Sequence, residues 1–308
     1  MAGRSISAAN AAKNRGRWRK LRTQRQSLVS DSTAIRELSR IDPDLAKRDF
    51  TGFNERVGLP QHPDTLVRQP LTECQMHFYN NYVPPDKPAW ILLNKARQCG
   101  WTETVLRILA YHGFHKYAGR KIGIVAGTNQ KTTRQIFGRL RELFKPLPHL
   151  VLYDRPMELG LVNGTEYHAG AANVETFTGW TKFGAFFMDE AAKWDLIDDR
   201  PVLNAMLPIA RSNGSDVFMI STPKGPRGFF YHIDMGEWGG DKFSRIKYDI
   251  YEAGGELYTL DQIEEMIAAT DVDPDQEYMC KYTSGRESVW GPLTHDDFTD
   301  EYMERAYS

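Results

Sequence analysis

From residue 89 onward, short apolar runs alternate with longer amphipathic stretches, the pattern of βα units that build a mostly parallel sheet flanked by helices. The runs 90–93 and 121–126 predict buried strands, each followed by a helix, over 102–115 and 129–144. The second helix carries Ile136, Leu140 and Leu143 on one face and is stopped by Pro146 and Pro148. Short strands over 150–153, 158–162 and 165–170 surround an Asn163-Gly164 turn and read as a hairpin insertion. A fully apolar strand, 183–188, and another buried strand, 216–220, flank a helix over 202–210. The main strands end in polar residues, at the edge of an open α/β sheet where ligands bind. Beyond residue 251 the pattern turns to acidic helices, over 261–269 and 276–282, followed by a loose tail.

Composition fits this picture. Of 308 residues 41% are hydrophobic and 12% aromatic, which argues against wholesale disorder and allows one large or two small domains. The formal net charge of −1 conceals a polarised chain. Eight bases, from Arg4 to Arg25, precede the first acid, Asp31, whereas 251–308 holds fifteen acids against Lys281, Arg286 and Arg305. Residues 1–30 therefore read as a flexible basic arm. Its composition suits a solubilising tail as well as an arm that touches phosphates or a partner subunit. Cys74, Cys99 and Cys280 lack the spacing of a zinc site or a disulfide framework. The sequence contains neither an apolar run of membrane-spanning length nor a signal-peptide core, so the expected setting is a reducing cytoplasm without membrane partners.

The strongest chemical signal lies between the first strand and its helix, in Asn94-Lys95-Ala96-Arg97-Gln98-Cys99-Gly100-Trp101-Thr102-Glu103. Against the phosphate-loop pattern G-x-x-x-x-G-K-[ST], Gly100 and Thr102 fit, Lys95 takes the first glycine position, and Trp101 stands where the lysine belongs. Backbone N–H groups cradle phosphates whatever the side chain, and Thr102 can hold Mg²⁺. Lys95 can supply the missing cation from the front of the loop, and Arg97 adds a forked donor. The alternative is a basic strand-to-helix turn with a solvent-facing lysine. A second signal, Phe186-Phe187-Met188-Asp189-Glu190, ends an apolar strand in two carboxylates. There Asp189 can bind Mg²⁺ and Glu190 can polarise an attacking water. A third, Ser221-Thr222-Pro223, follows a strand that can lie beside the other two. Thr222 can sense a γ-phosphate there, and the same residues also serve as plain turn formers.

In this order the motifs resemble the ATPase domain of the large terminase subunit, the genome-packaging motor of tailed phages, over about residues 71–251. Lys95 to Thr102 matches that family's deviant loop, K-x-R-Q-x-G-x-[ST], at every fixed position. The resemblance implies a RecA-like (ASCE) P-loop NTPase domain over 31–250, with ATP and Mg²⁺ as cofactors. It further implies that Gln75 recognises adenine, that Arg97 acts as a finger on the γ-phosphate, and that Ser221 and Thr222 couple hydrolysis to DNA movement. The implied partners are double-stranded DNA, the portal protein, the small terminase subunit and further copies in a homo-oligomeric ring, at the procapsid portal in the host cytoplasm.

The sequence departs from the family pattern in two places. Thr178 precedes Gly179 where many relatives have an arginine that serves a neighbouring subunit, with Lys182 as a nearby substitute. Relatives usually continue into a nuclease, whereas 251–308 reads as an acidic helical linker and tail too short for one. Gln130, Lys131 and Arg134 are candidates for gripping DNA, and equally fit an ordinary wet helix face. A superfamily 2-like helicase fragment and a catalytically silent DNA-binding assembly subunit are the competing readings. The first lacks room for a second motor domain, and the second sits poorly with the retained Asp189-Glu190 pair.

Overall fold

The computed structural model describes residues 31–177, 181–194, 199–269 and 272–283. Its strands are β1 (Trp90–Lys95), β2 (Lys121–Ala126), β3 (Val151–Arg155), β4 (Glu158–Leu161), β5 (Glu166–Gly170), β6 (Phe183–Asp189), β7 (Asp216–Ser221) and β8 (Ser244–Tyr248). They form one sheet in the order β3-β4-β5-β2-β6-β7-β1-β8, in which β4 alone runs against the direction of the other strands. The strands 151–170 therefore extend the central sheet through the parallel β5·β2 pair and are not a separate hairpin insertion.

Ahead of the sheet come α1 (Asp31–Ile41), α2 (Pro43–Lys47), α3 (Phe50–Val57) and α4 (Glu73–Tyr82). Between and after the strands lie α5 (Trp101–His112), α6 (Gln130–Phe144), α7 (Val174–Phe177), α8 (Arg200–Asn213), α9 (Gly228–Asp234), α10 (Ile250–Gly254), α11 (Leu260–Ala268) and α12 (Pro274–Glu277). Side-chain caps fix several starts: Asn129 accepts from the Thr132 N–H, and Thr72 and Thr259 form capping boxes with Gln75 and Gln262. The helix expected over 276–282 is shorter and begins earlier, because Asp273 caps the helix that Pro274 opens.

Because side chains alternate along a strand, the central strands feed two cores. Ile91, Leu93, Ile124, Phe187, Phe218 and Ile220 face one side, which is covered by α3 to α6, α10 and α11. Leu92, Val125, Phe186, Met188, Val217 and Met219 face the other, which is covered by α8 and α9. Ala253, Tyr258, Ile263, Tyr278 and Cys280, from the acidic C-terminal stretch, are buried in the first core. The residues 1–30 and 284–308 lie outside the described residues.

This topology sets the site. β7 lies between β1 and β6, with Asn94 opposite Ser221 and Asp189 opposite Ile220. The carboxyl ends of the three motif-bearing strands thus meet at one edge of the sheet.

Candidate active site

The turn after β1 opens α5 at Gly100, whose φ of +73° suits glycine, and Gln98 is also left-handed at +63°. A Cβ on Gly100 would stand 3.0 Å from Gln75 Nε2, so the turn also needs glycine for space. The first N–H groups of α5, those of Trp101, Thr102 and Glu103, have no acceptor within the helix and form its positive dipole end. Two N–H groups expected in the cradle are already engaged: Ala96 donates to Tyr248 O (2.9 Å) and Arg97 to Glu277 O (2.8 Å). The free part of the cradle therefore starts later in the loop.

Trp101, at the usual lysine position, points inward. It is 2% exposed, stacks on Tyr248 at 5.0 Å and meets Phe78 edge-on. Lys95, at the front of the loop and 6% exposed, donates to Glu190 Oε1 at 2.6 Å. Thr102 Oγ1 donates to Asp189, 3.1 and 3.2 Å from its two oxygens. Four side chains from two motifs thus interlock. The Trp194 indole, absent from the sequence expectations, donates to Asp189 O and anchors the end of β6.

Glu190 holds a left-handed backbone (φ 49°), uncommon for a residue with a Cβ. Burial acts to raise its pKa, but Lys95, Lys193 and Arg97 outweigh burial and hold it below the usual carboxylate range. Asp189 goes the other way: burial first, and then Glu190, push it up to about 6. Lys95 stays charged, because Glu190 and Asp189 overcome the effect of burial. One carboxylate is thus ionised against a lysine, beside another that burial and its neighbour make a weaker acid.

A cleft of about 710 Å³ opens over the loop. Arg68, Lys95, Arg97, Arg107, Arg139 and Lys145 line it against Glu103, Glu142 and Glu190, a surplus of positive charge suited to a polyphosphate. Glu103 is taken up by Arg107 (2.8 Å) and Arg139 (3.2 Å). Cys99 is buried, and burial pushes its thiol up to about 12. Arg97 is half exposed, with Nη1 3.8 Å from Glu277 Oε2. Ser221 donates to Thr222 O, while the Thr222 hydroxyl is buried without a partner beside the β1 and β6 ends. Among the described residues no group of three or more His, Cys, Asp or Glu could hold a metal. The pair Thr102 and Asp189 still fits a cation whose remaining ligands come from phosphate and water.

Gln75 does not reach the cleft. Its oxygen accepts from Thr72 N–H (3.0 Å) and its nitrogen donates to Cys99 O (2.9 Å), so the amide ties α4 to the loop. The outer cleft is lined by Gln61, His62, Leu66 and Arg68, a segment the motifs did not flag. Gln130, Lys131 and Arg134 are exposed on the first turns of α6. Lys182 precedes β6, at the sheet edge opposite Glu190, and Thr178 and Gly179 lie outside the described residues.

A family profile described as "Terminase large subunit, T4likevirus-type, N-terminal" matches residues 92–291. The chain belongs to the large terminase subunits. Its fold is that of their ATPase domains. The Thermus phage P74-26 large terminase ATPase domain is 18% identical, with a TM-score of 0.55, covering 70% of this chain and 95% of that one. The large terminase of bacteriophage HK97 is 15% identical, with a TM-score of 0.54, covering 76% and 54%. That of a thermophilic bacteriophage, determined in complex with ADP, is 13% identical with a TM-score of 0.54, covering 69% and 54%. The terminase described here thus spans about half the length of the last two. No curated protein matches its sequence significantly. Among the described residues no helix is long and apolar enough to cross a membrane.

Proposed function

We propose that this terminase domain hydrolyses ATP and uses the energy to move double-stranded DNA into a procapsid. The observation that carries the proposal is the meeting of Lys95 with Glu190 and of Thr102 with Asp189 under a positively charged cleft. The triphosphate would lie on the N–H groups that open α5. Thr102 and Asp189 would hold Mg²⁺, which supplies charge neutralisation on the phosphates. Lys95 holds Glu190 as an ionised but occupied base; a γ-phosphate that draws the ammonium away leaves Glu190 free to take a proton from water. Lys95 and Arg97 then offset the charge growing on the transferring phosphoryl group. Thr222, with an unspent hydroxyl, would register the γ-phosphate and pass its loss along the Ser221-Thr222-Pro223 segment.

The reading carries the family's partners with it: portal protein, small terminase subunit and further copies of the chain, at the procapsid in the host cytoplasm. Contact with DNA would be mainly to phosphates, with Gln130, Lys131 and Arg134 as first candidates, so binding should weaken steeply with salt. Steady-state ATP hydrolysis tests the core of the proposal. Glu190→Gln and Lys95→Ala should each lower kcat by about 100-fold or more. A wild type no faster than Glu190→Gln would leave the silent assembly subunit as the better reading.

A further inference from the structure

The short helix α12 and the residues after it cross the carboxyl edge of the sheet, where they contact the loop after β1 and the segments that follow the β6 and β7 motifs. Glu277 O accepts from the Arg97 N–H, Cys280 O accepts from Asn94 Nδ2 (3.2 Å), and Gln276 Oε1 accepts from the Gly225 N–H (2.7 Å) just past Thr222. At the centre is the Glu277 carboxylate, 9% exposed. Its Oε1 accepts from Lys193 Nζ at 2.7 Å, while its Oε2 is buried without a hydrogen bond, with Arg97 Nη1 3.8 Å away. Lys193 Nζ is also 3.9 Å from Glu190 Oε2. Charges thus alternate from Lys95 through Glu190, Lys193 and Glu277 to Arg97.

We propose that Glu277 is a positioning residue, an internal anion that holds Arg97 and Lys193 until the terminal phosphate of a nucleoside triphosphate competes for them. The inference rests on the nucleotide-binding reading above. A buried carboxylate with one oxygen unbonded is an incompletely satisfied partner. A phosphate carries more charge and more acceptor oxygens than a carboxylate and is the stronger ligand for a guanidinium. Arg97 is half exposed and 3.8 Å from Glu277 Oε2 without a hydrogen bond to it, so its guanidinium is open to a competing anion. Losing it weakens the grip on the 273–283 segment, so that segment reads the third phosphate. A diphosphate leaves the cluster in place.

Titration calorimetry of the full chain with ADP and with a non-hydrolysable ATP analogue tests this. Glu277→Gln removes the competing charge, so the analogue should bind about three- to tenfold tighter while ADP stays within about twofold. A purely structural role would shift both ligands alike, and equal shifts, or none, overturn the proposal. Should the variant fail to fold, the wild type decides. Trypsin cleavage after Lys281, whose side chain is 59% exposed, should speed up with the analogue and not with ADP. A rate indifferent to the third phosphate overturns the proposal. A wild type that binds neither nucleotide overturns the nucleotide reading itself, and this inference with it.

Discussion

Trp101 occupies the position of the usual phosphate-loop lysine, and Trp101→Ala separates its structural part from the chemistry of Lys95. The indole is 2% exposed, between Tyr248 and Phe78. A fully buried aromatic side chain covers about 200 Å², worth about 5 kcal/mol of transfer free energy as an upper bound. Loss of the stack on Tyr248 adds about 1 kcal/mol. In the other direction, Trp101 Nε1 is buried without an acceptor, so its removal returns about 1–3 kcal/mol. The net expectation is a loss of about 3–5 kcal/mol, the range of large-to-small changes at aromatic core sites. For a domain of this size that lowers Tm by about 6–20 °C. Urea unfolding followed by far-UV circular dichroism measures it without relying on tryptophan emission. At a temperature where the variant is folded, it should keep most of the ATPase activity that Lys95→Ala loses. A loss under about 1 kcal/mol with an unchanged m-value would refute the reasoning, because the indole would then have to lie in the cleft and not in the core. Trp101→Lys likewise should not rescue Lys95→Ala, since position 101 directs its side chain into an apolar pocket.

Three further outcomes follow from particular contacts. Gln75→Ala should raise the KM for ATP and cost about 1–3 kcal/mol of stability, while the preference for ATP over GTP stays unchanged, as read by parallel hydrolysis assays; a collapse of that preference would return Gln75 to the base. His112, buried with neither ring nitrogen bonded, is pushed down to about 3 by burial and then by Lys116 and His115. The unfolded chain therefore binds the extra proton first, and stability present above pH 6.5 is lost as the pH falls; His112→Leu should spare about 2 kcal/mol of that loss at pH 5 in urea titrations. Lys116 donates to Asp216 at 2.6 Å, where Asp216 is fully buried at the start of β7 and also accepts from Tyr117 and Ala89. Lys116→Met should cost about 3 kcal/mol in the same titrations, and a neutral result would mean that Tyr117 and Ala89 alone satisfy the carboxylate.

Much of this protein is written locally. Strands β1, β2, β6 and β7 are apolar runs that no solvent-facing element could carry, and the helices after β1 and β2 show their periodicity and, in α6, an Asn129 cap. Lys95, Asp189 and Glu190 stood out as charged residues at the ends of apolar strands, and Thr102 as a hydroxyl in the first turn of the helix after the loop. β8 did not, because an edge strand reading Ser-Arg-Ile-Lys-Tyr buries only its central residue and so lacks an apolar run. Nor did the sequence show that 151–170 joins the main sheet, since a hairpin turn records its own two strands and not their neighbour.

What only the tertiary structure decided is how side chains are shared. The sequence can name a glutamine at 75, but a capping box and a carbonyl 24 residues away determine that its amide is spent. It can name an arginine at 97, but not that Glu277, with Lys193 beside it, stands against it. Hydrogen bonds and ion pairs are satisfied through space, between elements brought together by packing. Residue types and their spacing thus determined which polar groups stand at the sheet edge, and the folded contacts determined which of them are already engaged.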